Sequence, residues 1–225
     1  MFTGIIKAVG TVDRLRRQGS DMRLSIRCTD LPWRDYEIGD SISVNGTCLT
    51  AVELRDAGFD AEVSSETMAV TAMRELQAGS RVNIEPSLTL ADRLGGHLVS
   101  GHVDCVGRVV ERRDEAGSLV LRIVIPPQYR RYIVRKGSIC IDGVSLTINE
   151  VLADSFTVNI IPHTAKATIA SGYASGCRVN IEVDLIARYL ERLLQRDAGD
   201  AAAADTNNNT CETISRDFLR AYGYA

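Results

Sequence analysis

One offset governs this chain. Asn45-Gly46-Thr47-Cys48-Leu49-Thr50 returns 97 residues later as Asp142-Gly143-Val144-Ser145-Leu146-Thr147. The same shift lays Arg81-Val82-Asn83-Ile84-Glu85 on the identical Arg178-Val179-Asn180-Ile181-Glu182. Gly4 then meets Gly101, Gly10 meets Gly107, Phe59 meets Phe156 and Thr67 meets Thr164, with no insertion between Gly4 and Leu185. A period held over that span is a duplicated domain rather than a chance pair of motifs. The 225 residues therefore read as two small domains and a tail. The expected ranges are residues 1–96 and 97–184 for the domains, 185–196 for a helix, and 197–225 for a flexible linker with a short terminal helix.

Within each repeat, apolar and polar residues mostly alternate. Met22-Arg23-Leu24-Ser25-Ile26-Arg27-Cys28 is the pattern of a strand buried on one face, and residues 119–125 fill the same slot more apolarly. Further strands are expected over residues 4–12, 41–44, 49–54, 59–63 and 81–85, with Gly, Asn or Asp in the gaps. Six short strands in each repeat predict an all-β fold of two tandem antiparallel barrels. Helical turns are expected over residues 31–37 and 128–134, over 68–76 with Thr67 as cap, and over 164–171. Past the second repeat the period changes. Ile186, Leu190, Leu193 and Leu194 fall three and four apart, a helical stripe that needs a surface on its own barrel or on another subunit. Residues 197–210, rich in Ala, Asp and Asn, read as the linker, and 214–222 as the short helix.

Composition excludes some partners. Hydrophobic content of 45% and charged content of 24% are those of an ordinary globular protein, and a net charge of −3 gives no reason to expect nucleic acid or an anionic membrane. No apolar run nears the roughly 20 residues of a membrane span. Met1-Phe2-Thr3-Gly4 has none of the features of a signal peptide, so a cytoplasmic location is expected. The six cysteines include no Cys-x-x-Cys pair and read as reduced thiols, and no cysteine–histidine spacing suggests a metal. Gly-x-Ser-x-Gly, Walker and Gly-x-Gly-x-x-Gly motifs are absent from the sequence.

Duplication implies two related pockets. Cys48 and Thr50 flank Leu49, as Ser145 and Thr147 flank Leu146, so each polar pair points to one side of a strand. Such a face suits a planar polar heterocycle; the alternative is that the threonines satisfy a turn and Cys48 is a small buried residue. His102 stands where the first repeat has Ile5, an asymmetry suited to proton transfer near neutrality. His97, at the domain junction, reads as a linker histidine bonded to backbone. Lys136 and Asp184 read as solvated charges.

Several of these segments resemble one family. Met1-Phe2-Thr3-Gly4-Ile5-Ile6, Asn45-Gly46 with Cys48-Leu49-Thr50, Gly95-Gly96-His97-Leu98-Val99-Ser100-Gly101-His102, Lys136-Gly137, Asp142-Gly143-Val144-Ser145-Leu146-Thr147 and Ile161-Pro162-His163-Thr164 are similar in order and spacing to riboflavin synthases, from Met1 to about Leu194. The resemblance implies Greek-key topology for both barrels, and a C-terminal helix that assembles a homotrimer with sites between subunits. It also implies a reaction in which two molecules of 6,7-dimethyl-8-ribityllumazine exchange a four-carbon unit, giving riboflavin and 5-amino-6-ribitylamino-pyrimidinedione. No metal or added cofactor is implied, because the lumazine ring is its own electron sink.

Carried over by position, one substrate pocket holds Cys48, Leu49, Thr50, Glu62, Val63, Ser64, Ser65, Glu66 and Thr67, with Gly101, His102, Val103 and Lys136. The other holds Ser145, Leu146, Thr147, Asn159, Ile160, Ile161, Pro162, His163 and Thr164, with Gly4, Ile5 and Ile6. His102 is the expected proton-transfer residue, and Ser145 or Cys48 the expected nucleophile or water carrier. Two alternatives stand beside the enzyme. One is a non-catalytic lumazine- or flavin-binding paralogue, similar to the accessory proteins of luminous bacteria; the other is a flavin-binding barrel from a reductase.

Overall fold

Strand alternation decides what each repeat buries. In the computed structural model, which describes residues 1–203 and the side chains of 1–195, β2 (Asp21–Arg27) sends Leu24 and Ile26 inward and leaves Arg27 outside. It joins β1 (Ala8–Gln18), β3 (Ser41–Val44), β4 (Thr47–Arg55), β5 (Gly58–Val63) and β6 (Arg81–Pro86) in a closed antiparallel barrel of order β1-β2-β5-β4-β3-β6. The second repeat builds the same cyclic order from β7 (Cys105–Glu115), β8 (Ser118–Val124), β9 (Ser138–Ile141), β10 (Val144–Val151), β11 (Ser155–Ile160) and β12 (Arg178–Val183). Closure leaves no strand edge unpaired. Each barrel fills its interior with repeat-equivalent side chains: Leu24, Ile26, Phe59 and Ile84 in the first, Leu121, Ile123, Phe156 and Ile181 in the second.

The helical turns are shorter than expected. Residues 31–37 keep only the 3-10 turn Trp33–Asp35, and 128–134 lie within or just after the turn Pro127–Tyr132. In α1 (Ser65–Val70) the cap is Ser64, whose Oγ accepts from Thr67 N–H at 3.1 Å, so Thr67 is inside the helix. Thr71 ends it: its hydroxyl donates to Thr67 O at 2.6 Å and accepts from Met73 N–H, opening the 3-10 turn Ala72–Glu75. Thr168 does the same between α2 (Pro162–Ala167) and the turn Ile169–Gly172.

The strand expected to begin at residue 4 begins at Ala8. Residues before it are diverted by Glu85, whose carboxylate accepts from Thr3 N–H at 2.7 Å, Thr3 Oγ1 at 2.6 Å and Gly4 N–H at 3.0 Å. The segment crosses to the other barrel, where Gly4 O accepts from Ser145 N–H at 2.8 Å. Glu182 grips Ser100 and Gly101 likewise, and Gly101 O accepts from Cys48 N–H at 2.8 Å.

These exchanges belong to an internal pseudo-two-fold axis. Phe2 forms an antiparallel bridge with Val99, its own repeat equivalent. Gly46 meets Gly143 so closely that a Cβ on Gly46 would lie 2.7 Å from Gly143 N. Around this contact the bonds are reciprocal. Asn83 Nδ2 donates to Asp142 O and Asn180 Nδ2 to Asn45 O, both at 2.8 Å. Ala72 N–H donates to Asn180 Oδ1 and Ile169 N–H to Asn83 Oδ1, at 2.7 and 2.8 Å. The pentapeptide that repeats without change thus supplies both halves of the barrel–barrel joint.

Helix α3 (Leu185–Ala203) starts on Asp184, whose Oδ1 accepts from Ile186 N–H at 3.0 Å, and Arg188 pairs with the buried Asp104 carboxylate. Ile186, Leu190, Leu193 and Leu194 are exposed, as is Tyr189. The helix runs through residues 197–203, read from the sequence as linker; the expected helix at 214–222 lies outside the described residues. Among the described residues, no helix is long and apolar enough to cross a membrane.

Two measurements test the joint. Asn180→Ala leaves Asn45 O and Ala72 N–H without their partner, and urea unfolding of the full chain is expected to show a loss of about 2–6 kcal/mol, at 1–3 for each orphaned group. Gly46→Ala is expected to destabilise markedly, whereas Gly172→Ala, with no neighbour within 4 Å, is not.

Burial drives the Asp142 carboxyl from 3.8 up to about 7, although Tyr173 Oη and Asn180 N–H each bond it at 2.7 Å. The folded chain then holds a proton that the unfolded chain releases, so this group's contribution to stability is present below 3.8 and lost as pH rises to about 7. The slope approaches about 1.4 kcal/mol per pH unit. Asn45 occupies the equivalent place, so Asp142→Asn keeps the shape; unfolding measured against pH is expected to show the variant gaining on the parent across that window.

Candidate active site

The duplicated motif divides its labour. Asn45-Gly46 and Asp142-Gly143 are consumed by the joint, while the residues after them emerge on the outer faces of β4 and β10. Cys48 and Ser145 are half-buried, Thr50 and Thr147 exposed, Leu49 lies in the core and Leu146 packs against it.

On the second barrel this face opens into a cleft of about 100 Å³. Gly4, Ile5 and Ile6, carried across from the first repeat, form one wall; Ser145, His163 and Thr164 stand opposite, with Val144, Ala167 and Thr168. Gly96 passes behind Ser145 so tightly that a Cβ there would lie 2.1 Å from Thr3 O and 2.8 Å from Ser145 Cβ. That passage delivers His97, whose Nδ1 lies 2.7 Å from Ser145 Oγ. Burial pushes the His97 pKa down, and the Asp184 charge pushes it partly back. The ring is therefore neutral at pH 7, with Nδ1 placed to take the serine proton; Nε2 is buried without a partner.

Pseudo-symmetry sets Cys48 beneath Gly101 on the first barrel, where a Cβ on Gly101 would lie 2.5 Å from Cys48 Cβ. His102 follows, exposed, its main-chain N–H donating to Ser100 Oγ at 3.3 Å, and Val103 is half-buried. Ser65 and Glu66 are exposed on the first turn of α1, Thr67 is half-buried, and Ser64 spends its hydroxyl on the cap. Glu62 and Asn159 face outward from β5 and β11, and Ile161 and Pro162 are exposed at the start of α2. Lys136 is exposed in the turn before β9, held by its N–H to Ile148 O at 2.8 Å.

Two expectations change. Leu49, Val63 and Ile160 were expected among the binding residues, but alternation turns their side chains into the cores, so any part they play in a site falls to their backbone. His97 bonds a serine side chain rather than backbone. The shift of 97 would place its counterpart before Met1, so repeat comparison had nothing to set beside it; the Gly95-Gly96 pair, marking a close passage of two backbones, was the available signal.

Comparison with known proteins agrees with this architecture. The lumazine binding domain model matches twice, over residues 3–87 and 100–184. Riboflavin synthase of Photobacterium phosphoreum is 42% identical over 224 residues, covering 100% of this chain and 99% of that one. Riboflavin synthase of Bacillus subtilis is 38% identical with full coverage of both, and that of Mycobacterium tuberculosis is 45% identical over 88% of this chain and all of its own. Among solved structures, LumP complexed with 6,7-dimethyl-8-(1'-D-ribityl) lumazine superposes with a TM-score of 0.74 at 26% identity, and its complex with riboflavin with 0.76, each over 81% of this chain and 99% of that one. With both repeats matched and relatives this similar along the whole length, the chain belongs to the lumazine-binding domain family.

Proposed function

We propose that the chain is a riboflavin synthase, a transferase that dismutates two molecules of 6,7-dimethyl-8-ribityllumazine into riboflavin and 5-amino-6-ribitylamino-pyrimidinedione. The observation that carries this is the Ser145–His97 pair, set at a cleft built from both repeats in a chain whose full-length relatives are riboflavin synthases. Ser145 adds to, or delivers water to, the ring in the second barrel, with His97 Nδ1 accepting its proton. In the first barrel Cys48 holds the place of Ser145, and His102 takes the methyl proton there. Holding two rings face to face supplies roughly 7–11 kcal/mol of the barrier without an added cofactor.

The assembly follows from two shortfalls. A cleft of about 100 Å³ is smaller than the roughly 300 Å³ or more of a small-molecule site, so a wall must be added. The exposed stripe of α3 needs a cover. A homotrimer, with the first barrel of one subunit facing the second barrel of another, meets both needs. The expected setting is the cytoplasm. LumP offers the competing reading of a binder without turnover, but the higher identity to the synthases, with Cys48, His102 and Ser145 all present, favours the enzyme.

Incubating the purified chain with 6,7-dimethyl-8-ribityllumazine is expected to give riboflavin absorbance; unchanging lumazine fluorescence would establish the binder instead. Ser145→Ala, His97→Gln and His102→Gln are each expected to lower kcat by about 10²–10⁴-fold, in the range of a lost proton-transfer group. The acid limb of kcat/KM is expected below pH 6.5, because burial lowers the His97 pKa from that value. Asp184→Asn removes the charge that opposes this shift and keeps the helix cap. The limb should move to still lower pH, and a limb that stays in place removes His97 from the pH profile.

A further inference from the structure

A hollow of about 810 Å³ lies away from this cleft, on the outside of the first barrel. Its floor is the outer face of β1, β2, β4 and β5, and alternation puts arginines there. Arg16 stands directly across from Arg23 in the β1–β2 register, and Arg14 across from Ser25. Two like charges face to face on neighbouring strands are unfavourable unless something neutralises them. The acids present do not serve Arg14 or Arg16. Asp60 and Glu53 pair with Arg23, and Arg55 lies 3.0 Å from Asp60. Arg55 Nε is buried without a partner. Among the described residues, Arg14 and Arg16 have neither ion pair nor hydrogen bond.

The second barrel provides an internal control. The shift of 97 turns Arg14 into Glu111, Arg17 into Asp114 and Arg23 into Val120. The equivalent cavity there is about 260 Å³, and its charges are compensated: Arg122 lies 2.9 Å and Arg113 3.0 Å from Glu111. The barrel as a fold therefore demands neither the larger hollow nor the surplus of arginine, and both stand out in a chain of net charge −3.

We propose that this hollow is a binding site for a phosphorylated small molecule, with the Arg14 and Arg16 guanidinium groups on the phosphate. Guanidinium forks match phosphate oxygens two at a time, and the volume is that of a small-molecule site rather than of a flat polyanion track. The site is separate from the lumazine cleft and does not rest on the proposed reaction.

The test is calorimetric titration of the full chain with inorganic phosphate and, separately, with ribose 5-phosphate. Saturable binding of one equivalent per chain is expected, tighter for the ester, and weakened at least tenfold in Arg14→Gln/Arg16→Gln. Arg113→Gln on the second barrel should leave it unchanged. Both arginines are exposed, so thermal unfolding of the double variant should match the parent and certify its fold. Absence of saturable binding to either probe, or equal binding by parent and double variant, overturns the proposal.

Discussion

A chain that contains the same domain twice must bury two copies of one surface against each other, and main-chain groups lie at the centre of that contact. Gly46 and Gly143 bring two turns together with no room for side chains. The carbonyls of residues 45 and 142, and the amides of residues 72 and 169, would be stranded there but for the side chains of Asn83 and Asn180. Each unpaired group would cost about 1–3 kcal/mol, comparable to a substantial part of a domain's whole stability. A self-complementary joint of this kind makes every bond twice, so one favourable side chain brings two gains. Its more distant effect is on the cleft. Once the joint is set, Glu85 and Glu182 carry the segments after Met1 and Val99 across it, and the cleft acquires walls from both repeats.

How much of this could be read in advance varied with the physical signal. Barrel strands were legible because a half-buried strand forces polar and apolar residues to alternate, and β3 began and ended where the pattern did. Residues 4–7 continue that pattern yet leave the strand, since the carboxylate of Glu85 lies 81 and 82 residues away in sequence and no local rule announces it. The unchanged Arg-Val-Asn-Ile-Glu copies were visible as a repeat, but their purpose was not. A buried asparagine facing another barrel and one ending a strand look alike in sequence. Alternation alone placed Cys48 with Thr50 and Ser145 with Thr147 on one side of their strands, whereas Leu49, Val63 and Ile160 came along only because a resemblance carries segments, not side-chain directions.

Asymmetry is what the proposed chemistry asks of such a molecule. When two identical substrates react, one must give and the other receive, and a faultless duplication would treat them alike. Substitution breaks the symmetry at several pairs, among them Cys48 against Ser145, His102 against Ile5, Glu66 against His163, and the buried Asp142–Tyr173 bond against Asn45 and Leu76. A further difference arises from joining rather than from substitution. His97 lies on the segment that joins the barrels, and its imidazole reaches Ser145 of the second. Among the described residues, a neutral imidazole thus sits on a hydroxyl at the second barrel, while the first has a thiol next to a glycine with its histidine in the open. The segment that joins two similar halves thus makes them unlike where it passes.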